Sequence, residues 1–381
     1  HDRFKKDYTN LNKVFNPRFF DPQKWADVVE QSGCKYFNLT SKHHDGFCMF
    51  DTNTTTYKVT DPSCPYSYHK QANIYKELFN AMQEKGLATS CYFSKADWHS
   101  PYYWNPNFKI KDRNVNYDVN KYPELWELFV QYTHAQIREL MRDYGKIDML
   151  WLDGGQVCPQ NNQDIRMNEI AKFSRELQPG LIIVDRTVGG EFENCITPEH
   201  QIPQQPLDVP WETCMPLGGA WAHARYYKNY RPVPEALKIL IHIVAMGGNL
   251  LLGIGPNGDG IIDKEGIDIF LGMGKWLKIN GEAVYKTRKV EPFKHKNIYF
   301  TQNKKENSLY MFIFSSEDFK DRKLTYEIEY KIPVKYFTIS RIQKIENQAQ
   351  ISFKKINDEY VFEFKKELHD PIGITAFKIT K

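Results

Sequence analysis

Between residues 35 and 280 short apolar runs alternate with longer amphipathic stretches, and each apolar run gives way to polar residues. The clearest is 147–155, IDMLWLDGG. A run this short and this apolar reads as a strand buried on both faces. Its closing Asp-Gly-Gly delivers a carboxylate, Asp153, at a point where glycine lets the chain turn sharply and a ligand approach the backbone. Asp-Gly is also ordinary turn chemistry. Here it follows a buried strand, with Trp151 two residues earlier on the same face.

The same pattern recurs in both directions. Residues 22–33 predict a helix, with Asp21 as cap, Pro22 in the first position and Gly33 as stop. Further helices are predicted over 73–85, 123–144, 166–177, 233–245 and 264–280 by their apolar stripes and closing glycines. Strands are predicted at 35–40 (KYFNLT), 87–93 (LATSCYF), 147–153, 180–184 (GLIIV) and 249–254 (NLLLGI), with shorter pieces within 189–199 and 207–215. Strands spaced by helices imply a parallel sheet. Polar residues follow every strand and not a single switch point, which favours a (β/α)8-like TIM barrel with its site at the C-terminal face. About seven strands are visible, so the first strand of such a barrel is expected to precede residue 1.

Beyond residue 285 the period changes to two. Seven runs, NIYFTQ, SLYMFIF, LTYEIEY, KYFTIS, AQISFKK, YVFEFKK and ITAFKIT, lie between polar turns. They predict a C-terminal antiparallel β-sandwich. The expected division is a barrel over 1–284 and a sandwich over 285–381.

The chain has 381 residues, enough for both, and 51 basic against 47 acidic residues leave a net charge of only +4. The signs are interspersed, so no nucleic-acid partner is indicated. No run approaches the roughly 20 apolar residues of a membrane span. The opening HDRFKKDYTN is polar, so a signal peptide, if the protein is exported, would lie upstream. The seven cysteines lie in the first 214 residues without CxxC or metal spacing and read as buried thiols, with one loop disulfide left open. Aromatic residues make up 14% of the chain and suit either stacking on sugar rings or interface packing.

The strand ends carry the chemistry. His43 and His44 follow KYFNLTSK; on an extended backbone they point apart, so both reach one ligand only if the chain kinks, for which Gly46 is at hand. No third ligand stands at metal spacing, and no metal is expected. Tyr92, Ser94, Asp97 and Trp98 come from the next strand, Asp185 and Arg186 from the fourth. GPNGDG after the last strand lacks GK[ST] and reads as a turn. Carboxylates, histidines, an arginine and tryptophans at barrel strand ends suit glycoside hydrolysis, which needs a nucleophile or base and a proton donor. Asp153 is the best nucleophile, and Glu199 and Glu212 are both open as the acid. Arg186 and the histidines could hold hydroxyls, while Trp98, Trp151 and Trp221 offer apolar faces.

KYFNLTSKHHDGF, YGKIDMLWLDGG, IIVDR, ITPEH, PWETCM and GGNLLLGIGPNGDG occur in this order over residues 15–285. Together they resemble the successive motifs of glycoside hydrolase family 29, the α-L-fucosidases. The resemblance implies an exo-acting retaining enzyme that releases terminal L-fucose from fucosylated glycans by double displacement, with no cofactor. It implies Asp153 as nucleophile and His43, His44, Tyr92, Trp98, Trp151 and Arg186 around the fucose, with Trp221 against its methyl group. It ranks Glu199, in a TPEQ-like motif with His200 in place of glutamine, ahead of Glu212 as general acid/base. That motif points to the α-1,3/1,4-selective subgroup, and the family implies a periplasmic or secreted location. The family's first strand end, an IHWG-like motif, is absent, so the resemblance implies either a strand ahead of residue 1 or an incomplete site. The other readings are a catalytically impaired fucose-binding barrel and a barrel glycosidase for a related sugar such as galactose.

Overall fold

The computed structural model describes residues 2–186, 188–226, 229–306, 308–314, 328–364 and 372–380. The chain divides into two compact units. One holds residues 1–30, 34–197 and 256–263; the other holds 31–33, 198–255 and 264–381.

The first unit opens with α1 (Asp2–Thr9), a short charged helix that the sequence pattern did not predict. It has too few apolar residues to show a stripe and is fixed by individual contacts. The Tyr8 hydroxyl donates to Asp45 Oδ2 at 2.9 Å, and the Lys5 ammonium lies 4.9 Å from the Trp104 ring. Then follow α2 (Pro22–Gln31), β1 (Tyr36–Lys42), α3 (Ile74–Glu84), β2 (Ala88–Ser94), α4 (Pro123–Asp143), β3 (Met149–Asp153), α5 (Met167–Leu177) and β4 (Ile182–Asp185). The helices agree with the apolar periodicity and its caps. Asp21 Oδ1 accepts from the Lys24 N–H at 3.1 Å, and Asn73 Oδ1 from the Lys76 N–H at 3.2 Å.

The strands form one parallel sheet in the order β1-β2-β3-β4. Alternation gives it two functional faces. Cys91 and Phe93 of β2, Leu150 and Leu152 of β3 and Ile183 of β4 enter one buried cluster with Phe129, Ile137 and Leu140 of α4 and Ile170 of α5. The alternate positions, Tyr92, Trp151 and Asp153, point the other way. A second buried cluster packs α2 and α3 around Ala26, Leu78 and Met82. Cys48, Cys64, Cys91, Cys158 and Cys214 are buried free thiols, as expected, whereas Cys34 and Cys195 are free but only half-buried.

In the second unit β5 (Glu212–Pro216) and β6 (Asn249–Gly253) run parallel, joined through α6 (Val233–Ala245), and α7 (Lys264–Asn280) follows. The predicted strand within 189–199 is reduced to two bridge residues, Ile196 and Glu199, the latter pairing in parallel with Cys214. The C-terminal strands are β7 (Thr287–Arg288), β8 (Lys294–His295), β9 (Ile298–Asn303), β10 (Leu309–Phe314), β11 (Ile328–Pro333), β12 (Arg341–Lys344), β13 (Gln350–Ile351), β14 (Phe353–Ile356), β15 (Glu359–Phe364) and β16 (Ile374–Thr380). They make two antiparallel sheets, β13-β12-β16-β10-β9-β7, with β8 beside β9, and β11-β15-β14. Their inner faces share a core that includes Phe300, Met311, Ile332, Phe362 and Phe377.

Two predicted runs differ. KYFTIS is a turn and not a strand: the Tyr336 N–H donates to the Pro333 carbonyl at 3.1 Å, and the Ile339 N–H donates to the Tyr360 hydroxyl at 3.2 Å. Phe337 and Ile339 are buried all the same, so their spacing records burial without a ladder. AQISFKK splits between the sheets, β13 joining one and β14 the other. The start of LTYEIEY and the end of YVFEFKK lie outside the described residues.

Candidate active site

Asp153 ends β3, in register with Ser94 at the end of β2. Gly154, at φ +85°, turns the chain away, and a Cβ there would lie 3.1 Å from the Ala96 amide nitrogen. Only glycine lets the two strand ends close so tightly. The Asp153 carboxylate is buried and fully engaged. The Tyr92 hydroxyl donates to Oδ2 at 2.5 Å. Arg186 Nη1 donates to Oδ1 at 2.9 Å, and the Gly154 N–H donates to the same oxygen at 2.7 Å. Burial opposes ionisation, but the Tyr92 hydrogen bond, the Arg186 charge, the Gly154 amide and His44 outweigh it and hold the carboxyl below its ordinary value. The group is a carboxylate at neutral pH.

An aromatic train surrounds it. Trp151 stacks on Tyr92 with centroids 5.4 Å apart, and Tyr92 on His43 at 5.8 Å. His44 lies 4.2 Å from His43 and 5.2 Å from Trp98, and Trp98 stacks on Trp104 at 5.3 Å. Arg186 lies 5.8 Å from the Trp151 ring centroid.

The two histidines converge, and the kink this requires has two parts. The β1–β2 register shifts between Thr40 and Lys42, and the Gly46 N–H closes a turn onto the His43 carbonyl at 3.0 Å. Burial, then the neighbouring His43, lower the His44 pKa to about 4 against the pull of Asp153, so the ring is neutral. Its Nδ1 lies 2.5 Å from Ser94 Oγ, whose own proton goes to the Ala96 carbonyl at 2.7 Å. Nδ1 therefore carries the hydrogen, and Nε2, 3.8 Å from Asp153 Oδ2, is an acceptor for a hydroxyl.

One nitrogen of each histidine and an oxygen of Asp153 all lie within 4.8 Å of one another, a grouping that spacing alone did not reveal. A zinc ion with bonds of about 2.1 Å needs ligand atoms roughly 3.4 Å apart. Both oxygens of Asp153 already accept hydrogen bonds, from Tyr92 at Oδ2 and from Arg186 and Gly154 at Oδ1.

Sequence reasoning passed over the lysines that hold these loops. Lys42 is fully buried and pairs with Asp97 Oδ2 at 3.0 Å, an oxygen that also accepts from the Tyr132 hydroxyl at 3.2 Å. Lys95, equally buried, pairs with Asp185. Asp97 Oδ1 takes the amides of His99 and Ser100 at 3.0 and 2.8 Å, so Asp97 shapes the loop. The available signal was a lysine beside the loaded ends of β1 and β2, Lys42 and Lys95.

In the second unit Glu199 bridges Cys214 at the middle of β5. Its Oε1 accepts from Trp221 Nε1 at 3.0 Å, with His200 Nε2 3.8 Å away. Trp221 is 40% exposed and lies over the end of β6, where a Cβ on Gly253 would come within 2.7 Å of the indole. Glu212 is the first residue of β5 and is buried.

The sequence profile of the alpha-L-fucosidases matches residues 2–282. Human plasma alpha-L-fucosidase is 27% identical over 321 residues, covering 80% of this chain and 64% of its own length. The chain thus spans a little under two-thirds of that relative. Alpha-L-fucosidase isoenzyme 1 from Paenibacillus thiaminolyticus superposes with a TM-score of 0.81 at 26% identity, over 98% of this chain and 90% of its own. A family 29 fucosidase from Bacteroides thetaiotaomicron, trapped as a covalent intermediate, gives 0.80 at 24% identity over 99% and 85%. The parallel strand–helix units and the antiparallel sheets are therefore those of a (β/α)8-like barrel followed by a β-sandwich. By profile, relatives and fold together, the chain belongs to the alpha-L-fucosidase family, glycoside hydrolase family 29.

Proposed function

We propose that this protein is an exo-acting, retaining α-L-fucosidase. The observation that carries the reading is a buried carboxylate kept ionised by three donors and flanked by a neutral histidine whose free nitrogen accepts. Asp153 attacks the anomeric carbon of a terminal α-L-fucosyl residue as the glycosidic C–O bond breaks, and the leaving oxygen takes the proton of the acid. Water, deprotonated by the same acid/base, then attacks the anomeric carbon, displaces the carboxylate and releases L-fucose. Donors on Asp153 lower its basicity, which suits a carboxylate that must also leave. The trapped covalent intermediate of the Bacteroides relative supports the two-step course.

His43, His44, Tyr92, Trp98, Trp151 and Arg186 surround the sugar in this reading, and Trp221 lies against its methyl group. Glu199 is favoured as acid/base over Glu212. It stands beside the half-exposed Trp221, whereas Glu212 begins its strand, the end opposite that at which such barrels carry their chemistry. The TPEH sequence at 197–200 favours α-1,3/1,4-linked fucose on branched glycans. The catalytic domain covers 1–284 and the sandwich 285–381, in line with the change from helix to antiparallel strands after α7. A secreted or periplasmic location is part of this reading, its secreted form in keeping with the plasma relative; no helix among the described residues is long and apolar enough to cross a membrane.

The test is a panel of aryl α-L-fucoside, β-D-galactoside and α-D-galactoside, with free sugar identified. Release of L-fucose that is lost in Asp153→Asn is expected. Fucose binding without release would make the chain a binding protein, and release of galactose alone would replace the substrate.

A further inference from the structure

Lys95 follows β2, and its side chain is buried, 1% exposed. It does not pair with the adjacent strand. Its ammonium reaches Asp185 at the end of β4, while β3, which carries Asp153, lies between β2 and β4. The Lys95 backbone N–H donates at 2.9 Å to the carbonyl of Asp153 itself. One residue therefore ties three strand ends: its amide holds β3, and its side chain crosses the end of β3 to hold β4.

The face on which this happens is fixed by alternation. Asp185 is in register with Leu152, which belongs to the core cluster shared with the helices. Asp153 and Arg186 are each one residue out of phase with these and occupy the opposite face, where Arg186 Nη1 meets Asp153 Oδ1 at 2.9 Å. Asp185 and Arg186 are chain neighbours, and the Arg186 N–H donates to the Leu152 carbonyl at 3.1 Å. Whatever fixes Asp185 thus fixes the backbone from which Arg186 reaches the nucleophile. Behind the sheet Asp185 also borders a cavity of about 140 Å³ shared with Val157, Ile165, Phe192 and Glu193. The Asp185 carbonyl is held by the Val188 and Gly189 amides at 3.1 and 3.3 Å, and its carboxylate by the Lys95 ammonium.

We propose that Lys95 is a positioning residue for the nucleophile: its buried ion pair with Asp185, behind the active face, sets the Arg186–Asp153 contact in front. The proposal rests on the reading of Asp153 as nucleophile. A reacting carboxylate displaced by about 1 Å loses roughly 10²-fold in rate, and the loss falls on the chemical step more than on binding.

The experiment compares Lys95→Met, Lys95→Arg and the charge-free pair Lys95→Met/Asp185→Asn. Asp185→Asn in the double variant removes the unpaired buried carboxylate that would threaten folding of Lys95→Met. Turnover of an aryl α-L-fucoside should show kcat down roughly 10²-fold with KM within about twofold in both Met variants, and partial recovery in Lys95→Arg. A double variant with kcat restored to the parent's would mean that Lys95 only neutralises Asp185, and the proposal would fall. Crystal structures of the parent and the double variant supply a readout independent of turnover. Loss of the Arg186–Asp153 hydrogen bond is expected, and its retention unchanged overturns the inference. A parent without turnover would count against the fucosidase reading, while the two structures would still decide the role of Lys95.

Discussion

The Tyr92 hydroxyl donates to Asp153 Oδ2 at 2.5 Å from the neighbouring strand, two residues before the position in register with Asp153. Tyr92 is in register with Trp151 and stacks on it, so the ring is held from the side while its hydroxyl leans forward over the strand end. Tyr92→Phe keeps the ring and deletes the donor. Losing a bond to the charged form raises the Asp153 pKa, so the acidic limb of the kcat/KM profile should move to higher pH. The rate should fall roughly 10- to 100-fold, the equivalent of the about 1.5–3 kcal/mol carried by one hydrogen bond to a charged group. An unmoved acidic limb would count against this coupling.

Glu199 and Glu212 separate in their response to azide. In Glu199→Ala, azide should restore turnover of an aryl fucoside with a good leaving group by attacking the glycosyl-enzyme in place of activated water. Glu212→Ala should be insensitive to azide and should lower the melting temperature, because it empties a buried position at the start of β5. Rescue confined to Glu212→Ala would reverse the assignment.

His44 should remain neutral across the whole working range. Its folded pKa is depressed from 6.5 to about 4, chiefly by burial, so between those values the unfolded chain binds more protons than the native one. Stability should therefore rise with pH across this window and be lost as pH falls from about 6.5 towards 4. His44→Gln should flatten that part of the pH–stability curve, and an NMR titration of the ring should show no protonation above about pH 5. Protonation near pH 6.5 would contradict the neutral ring.

Glu193 carries the opposite sign. Burial, then the nearby Asp185, raise its pKa from 4.5 to about 7, against the pull of Lys95. The native state holds this proton more tightly than the unfolded chain, so stability is lost as pH rises from about 4.5 through 7. Glu193→Gln should raise the melting temperature at pH 8 and leave it unchanged near pH 4. An equal gain at both values would show that the carboxylate charge is not the cause.

The sequence by itself determined the elements and their chemistry. Apolar periodicity and caps determine the helices α2 to α7, and apolar runs ending in polar residues determine β1 to β4 and β6. Both signals are local, and burial imposes them on composition residue by residue. Asp153 was legible for the same reason, as a carboxylate at the end of a strand buried on both faces. Tertiary structure decided what depends on register and on chain segments far apart. It converges His43 and His44 through a shift in the β1–β2 ladder, and it turns Tyr92 from a strand residue into a donor to Asp153. It buries Phe337 and Ile339 without a strand and sends Lys95 across one strand to Asp185 on the next. A lysine beside a strand end reads as solvated in one dimension. Its burial follows only from the carboxylate that the sheet brings to it, 90 residues further along the chain.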